Sequence, residues 1–302
     1  MGTFNRREFL KISATSALGL TVLNSYASNL DTFDINGTGV GIQLYTIRDA
    51  MAADPKGSLK KVSDLGFKFL ELADYSDGKF YGFAPKEFKK IVKDLGMKII
   101  SSHTKVEAEG ITVENAKKMA DDHAELSVKY CVQPWVIDED RNIETYKKMV
   151  GDWNEVGKIM KSVGIQFGYH NHNFEFLNMG GIVPYYDIYM KELDPSLVTM
   201  ELDLYWATKA GQDPVEMFKK YPGRFQLLHM KDMSTKQDPY FTIIKDDITS
   251  VGAGVIDFKR ILASKQLAGM KYMFVEDDNQ GNGKPFEGIG LSINNMKTKI
   301  LK

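Results

Sequence analysis

One unit recurs along this chain: a helical stretch, a glycine that stops it, a basic or polar residue, then an apolar strand. It reads DLGFKFLEL at 64–72, DLGMKIISSH at 94–103 and SVGIQFGYH at 162–170, with looser versions YPGRFQLLHMK at 221–231 and LAGMKYMFVE at 267–276. A glycine there fits the helix C′ position, where a left-handed backbone meets no Cβ. VKYCVQPWV at 128–136 and VTMELDL at 198–204 follow helical segments without the glycine, and VGIQLY at 40–45 opens the series. Eight strands alternating with helical stretches such as 85–95, 113–127 and 142–163, at a spacing of about thirty residues, predict parallel βαβ units. Eight units in about 250 residues is the size of a (β/α)8 TIM barrel, a single α/β domain. The rival is an open doubly wound sheet, but no GxGxxG opens a helix after the first strand.

The N-terminus reads differently. Arg6 and Arg7 precede an apolar run from Ile12 to Leu23, and SYAS offers a small-residue cleavage site after Ala27. That order predicts an export signal over 1–27, too short to span a bilayer stably, and the paired arginines followed by Phe9, Leu10 and Lys11 resemble a twin-arginine signal. Residues 28–38 then form a short linker and 39–302 the barrel. The expected location is periplasmic or exported, with no anchor once the signal is removed. A net charge of −1 gives no pull toward nucleic acid or anionic membrane. The single cysteine, Cys131, excludes an internal disulfide framework and reads as packing within a strand.

A barrel places its chemistry at the C-terminal ends of the strands. Those ends carry Gln43, Tyr45 and Arg48; Glu71; His103; Gln133 and Trp135; His170 and His172; Glu201 and Asp203; His229 and Lys231; and Glu276, followed by Asp277 and Asp278. Side chains alternate along a strand, so Gln43 with Tyr45, His170 with His172, Glu201 with Asp203, and His229 with Lys231 share the inward face. Leu44, Leu202, Leu204, Leu228 and Met230 then pack outward. Glu201, deeper than Asp203, reads as a satisfied core group. Clustered buried carboxylates and imidazoles are costly without a counter-charge, and Asp203, His229 and Glu276 supply mixed ligands suited to Mn, Co, Zn or Fe(II).

With ELDLYW, LHMKDM, VGAGVIDF and FVEDD in the expected order, the chain resembles the xylose isomerase-like sugar phosphate isomerase/epimerase superfamily over nearly all of its length after the signal. The resemblance implies one divalent ion (Mg joins the ions named above) held by a Glu, an Asp, a His and a Glu from strands 5 to 8. Asp203, His229 and Glu276 match. At strand 5, His170 stands where the family has Glu, so it is the expected fourth ligand, with Glu175 from the following loop as the alternative. The resemblance further implies isomerisation or epimerisation of a free sugar or keto-sugar through a metal-bound enediolate. Glu276, His172 and Lys231 are the expected catalytic groups. Gln43, Tyr45, Glu71, His103, Gln133, Trp135, Glu175 and Trp206 are the expected substrate contacts.

The missing strand-5 glutamate weakens a symmetrical two-carboxylate epimerisation, and β-elimination from a 3-keto-glycoside by a lyase or dehydratase is the alternative. A reading of another class is a non-catalytic periplasmic sugar-binding barrel, which needs aromatics but no metal. A nucleic-acid enzyme of the superfamily's endonuclease type would need more histidines and a basic surface. The VGAGVIDF loop has backbone amides that would cradle an anion, yet no Lys and Arg cluster accompanies it, so an unphosphorylated sugar or keto-glycoside is the expected partner. Homo-oligomerisation stays open.

Overall fold

The computed structural model describes residues 40–104, 110–176, 184–235 and 247–302. The expected signal and linker lie outside the described residues, as does the middle of the insertion at 233–250. Eight parallel strands close into a barrel in chain order: β1 (Val40–Gln43), β2 (Phe69–Leu72), β3 (Lys98–His103), β4 (Tyr130–Gln133), β5 (Gln166–His170), β6 (Val198–Asp203), β7 (Phe225–Met230) and β8 (Tyr272–Val275). Every predicted strand is present. Closure runs through β8 and β1, which pair Gly41 with Phe274. A Cβ on Gly41 would sit 2.3 Å from the Phe274 ring, so the close approach at the seam requires glycine.

Helices α1 (Pro55–Asp64), α2 (Pro85–Asp94), α3 (Val113–Leu126) and α4 (Ile143–Ser162) precede β2 to β5. The glycines of the repeat (Gly66, Gly96, Gly164, Gly223 and Gly269) all carry positive φ, between 71° and 97°. The unit that lacks glycine before β4 ends α3 at Ser127, whose φ is 62°. A serine therefore takes the left-handed turn that glycine takes elsewhere, at a cost of about 1 kcal/mol.

Alternation sorts the strands as expected. Leu44, Leu202, Leu204, Leu228 and Met230 join the main core, which includes residues of α1 to α4. Inside the barrel, Phe69, Ile100, Tyr130, Val132, Leu227, Tyr272 and Phe274 form a separate apolar plug. Beyond that plug the interior turns polar. Register sets which polar residues share a level: Gln43 pairs with Glu71, His170 with Glu201, and Asp203 with His229. The register shifts between Leu70 and Glu71 and between Met200 and Glu201. Such irregularities re-aim the side chains beside them, and both adjoin an inward glutamate.

Candidate active site

The polar residues meet on the barrel axis in two layers, each a set whose ligand atoms lie within 4.8 Å of one another. The outer set is His170, Asp203, His229 and Glu276; the inner set is His103, His170, Glu201 and His229, with Glu71 alongside. Two imidazoles belong to both. His229 places Nδ1 2.7 Å from Glu276 Oε2 and Nε2 2.5 Å from Glu71 Oε2. His170 places Nδ1 3.2 Å from Glu201 Oε2 and Nε2 4.0 Å from Asp203 Oδ2. His103 spans the inner layer, with Nε2 2.5 Å from Glu201 Oε2 and 3.5 Å from Glu71 Oε2. Gln43 donates to Glu71 from behind at 3.0 Å.

Local structure fixes Asp203. It caps the short helix α5 (Leu204–Lys209): Oδ1 accepts from the Trp206 amide at 2.8 Å, while its own amide donates to Asn171 Oδ1 at 3.1 Å. With Oδ1 committed, Oδ2 is left buried without a hydrogen bond. Lys231, fully buried, sits 3.0 Å from that oxygen, 2.7 Å from Glu276 Oε2 and 3.0 Å from Asp278 Oδ1.

A divalent cation fits this donor set. Two imidazole nitrogens and two carboxylates converge in the outer layer, two buried carboxylate oxygens (Glu201 Oε1 and Glu71 Oε1) have no hydrogen-bond partner, and Asp203 Oδ2 has only the Lys231 ion pair. In the inner layer, His170 Nδ1 and His229 Nε2 face carboxylates, the arrangement by which an N–H donated inward leaves the other nitrogen's lone pair outward for a metal.

The charges follow from crowding. Burial opposes charge on His229, but Glu201, Glu276 and Glu71 together hold its pKa well above the imidazole range. Burial, His229 and His103 outweigh the opposing pull of Glu201 and bring His170 down to about 4. Burial also opposes ionisation of Glu276, yet Lys231 and His229 keep its pKa well below the usual carboxylate range. Lys231 is held well above its ordinary value by Asp203, Asp278 and Glu276, against the cost of burial. Burial raises Asp278 to about 6 despite Lys231.

The remaining expected residues divide. His172 lies above His170, ring centroids 5.1 Å apart, and beside Trp206 at 5.5 Å. Its Nδ1 and the Trp206 Nε1 are both buried without partners. Tyr45 and Trp135 stand at the rim, 43% and 42% exposed. Five residues expected against substrate face elsewhere, two of them, Gln43 and His103, in the inner layer already described. Glu71 is fully buried behind His229, because the register shift at Leu70/Glu71 sets it in the inner layer. Gln133 spends its amide on Ile111 N and Trp135 O. Glu175 turns off the mouth altogether: it accepts from Tyr169 Oη at 2.5 Å and from the His172 amide at 2.9 Å, so it braces the loop after β5 and is in neither ligand set. Glu201, read as a satisfied core group, is instead the hub of three imidazoles. Its two-residue spacing from Asp203 was the available signal.

The VGAGVIDF loop has an anion of its own. The amides of Met233, Gly252, Gly254 and Ile256 all donate to the Asp232 carboxylate, at 2.8 to 3.2 Å. The cradle is filled by the chain's own side chain.

Comparison with known proteins agrees with the architecture. A family model described as the xylose isomerase-like TIM barrel matches residues 59–294. A crystal structure of a sugar phosphate isomerase/epimerase from Parabacteroides distasonis is 30% identical with a TM-score of 0.73, covering 88% of this chain and 96% of that one. The inosose dehydratase of Lacticaseibacillus casei is 25% identical over 155 residues, 48% of this chain and 51% of that protein. That of Clostridium tetani is 29% identical over 147 residues, 45% and 48% of the two chains. The chain thus spans about half the length of these curated relatives. The IOLI protein with a bound zinc atom shares the fold, at a TM-score of 0.67 and 14% identity over 87% of this chain and 99% of that one. The chain belongs to the xylose isomerase-like TIM barrel family.

Proposed function

We propose that the protein is a carbon–oxygen lyase that removes a proton next to the carbonyl of a keto-sugar or keto-glycoside and expels the substituent one carbon further on. The observation that carries this is the asymmetry of the mouth. Glu276 is the carboxylate on one side, and on the strand where an opposing one would stand is His170, whose Nδ1 is committed to Glu201. One base suffices for elimination, whereas inversion needs a second group to return the proton from the other face.

Glu276 takes the proton. Lys231, 2.7 Å away, is the fixed cation beside the charge that develops on the substrate oxygen. His172, with an unpartnered ring nitrogen, stands on the rim side to meet the departing oxygen. His170, Asp203, His229 and Glu276 would hold a divalent cation, which when bound supplies Lewis-acid polarisation of the carbonyl. The zinc named for the IOLI protein and the dehydratase activity named for the curated relatives support this reading. An unphosphorylated substrate follows from the cations: Lys231 is surrounded by carboxylates, Arg48 donates to the Tyr45 and Asp278 carbonyls, and Asp232 fills the glycine loop.

A second reading, a sugar isomerase or epimerase on the same residues, is favoured by the name of the 30% identical relative that aligns over nearly its whole length. Proton NMR in D2O decides between them. Protein with added Mn or Co meets a panel of ketohexoses and 3-keto-glucosides, with EDTA-treated protein and Asp203→Asn as controls. Release of an alcohol with a new enone establishes the lyase. Deuterium incorporation with an epimer or aldose establishes the isomerase. Neither, with no effect of chelation, sinks both.

A further inference from the structure

Beside the mouth, between the loop after β4 and helix α4, lies a concavity of about 350 Å³ whose lining includes Thr112, Trp135, Asp140, Thr145, Lys148 and Met149. That is within the range of small-molecule sites, which begin at about 300 Å³. Trp135 is its boundary with the reaction centre. Trp135 is 42% exposed, yet it is not loose. Gln133 donates to the Trp135 main-chain oxygen at 2.7 Å, and the Arg141 guanidinium lies 4.8 Å from the ring centroid. Arg141 is itself fixed to the Val136 carbonyl at 2.9 Å and to Asp138 at 2.6 Å. The ring centroid is 6.0 Å from that of His172, with the two planes at 75°. A large apolar ring held rigid while left in water suits stacking on a partly apolar ligand. Hydroxyl, carboxylate and ammonium groups around it suit a polyhydroxylated one.

We infer that this cleft binds the leaving half of the substrate, which is therefore a glycoside of two rings. The keto ring enters the mouth past His172 and the departing sugar stacks on Trp135. This rests on the elimination reading. The C–H bond next to the carbonyl breaks and its proton passes to Glu276. Its electrons form the C=C bond as the glycosidic C–O bond breaks; the leaving oxygen takes a proton from water, and Glu276 returns its own to solvent, so no proton is gained or lost overall. The products are an enone and a free sugar, with no change of oxidation state overall.

Calorimetric titration of the full chain with maltose, cellobiose and the two methyl glucosides tests the cleft apart from the chemistry. The expected result is that one disaccharide binds at least tenfold tighter than the methyl glucoside of its anomer. Trp135→Ala and Thr145→Trp, which adds bulk to the cleft from helix α4, should each abolish that preference. No preference for either disaccharide, or a preference surviving both substitutions, overturns the inference. Binding as expected but no enone from the 3-keto derivatives would leave the cleft standing and defeat the lyase reading instead.

Discussion

His229 Nε2 lies 2.5 Å from Glu71 Oε2, while Nδ1 of the same ring faces Glu276 at 2.7 Å. A ring gripped from both sides has its rotation fixed, and Glu71 is the carboxylate that selects which nitrogen carries the inward proton. Removing the charge on Glu71 while keeping an acceptor should therefore weaken the outer layer. Glu71→Gln is expected to lose about 10–100-fold in affinity for Mn, the usual cost of an orienting partner. Titration calorimetry checks this, and an unchanged affinity would make Glu71 a bystander.

Lys231 is the only described Lys or Arg side chain paired with Asp203 and Glu276. Lys231→Met leaves Asp203 and Asp278 without their shared cation and Glu276 with only His229 beside it. Without divalent ion the variant should lose about 3–5 kcal/mol of stability. Saturating Mn should restore much of that, since a cation bound only to the folded state stabilises it. Thermal unfolding with EDTA and with Mn makes the comparison; equal losses in both would mean that the cluster takes no cation.

Asp232 accepts three backbone amides from the loop that carries Gly252 and Gly254, and a fourth from its neighbour Met233. At about 1 kcal/mol per hydrogen bond, Asp232→Ala should cost roughly 2–4 kcal/mol. Asp232→Asn keeps one acceptor oxygen and should cost less. Urea unfolding of the pair would refute the anchoring role if both variants matched the parent.

His123 on α3 is buried; it faces the Met119 carbonyl through Nδ1 at 2.7 Å and Ser102 Oγ through Nε2 at 3.2 Å. Burial lowers its pKa from 6.5 to about 4. Between those values the unfolded chain binds more protons than the folded one. The neutral ring's contribution is therefore complete above pH 6.5 and is lost as pH falls toward 4. The stability difference between the parent and His123→Gln should shrink by about 2–3 kcal/mol from pH 7 to pH 4.5. A difference independent of pH would show that the histidine has the same pKa in the folded and unfolded chains.

Replacing Ser127, whose φ is 62°, with glycine should stabilise the chain by about 1 kcal/mol. Glycine there forgoes the hydrogen bond that Lys89 Nζ donates to Ser127 Oγ at 2.6 Å, which is exposed and weak. A drop in melting temperature would mean that this hydrogen bond outweighs the backbone strain.

The sequence by itself determined the barrel and the inward set. Strand periodicity is local: two residues apart means one face, whatever the rest of the chain does, so Asp203 with Glu201 and His229 with Lys231 were legible as pairs. The helix-ending glycines are local too, because the φ they require belongs to one residue. Tertiary structure alone decided depth. Which strands meet at one level depends on barrel stagger and on register shifts, here beside Glu71 and Glu201, and neither is written in any single strand. That is why Glu71 was expected at the mouth and lies beneath it, and why Glu201 looked idle and holds three imidazoles. Glu175 and Asp232 sit past their strands, where alternation ends. Their partners, Tyr169 on β5 and the amides around Gly254, meet them only in the folded chain and not through any spacing.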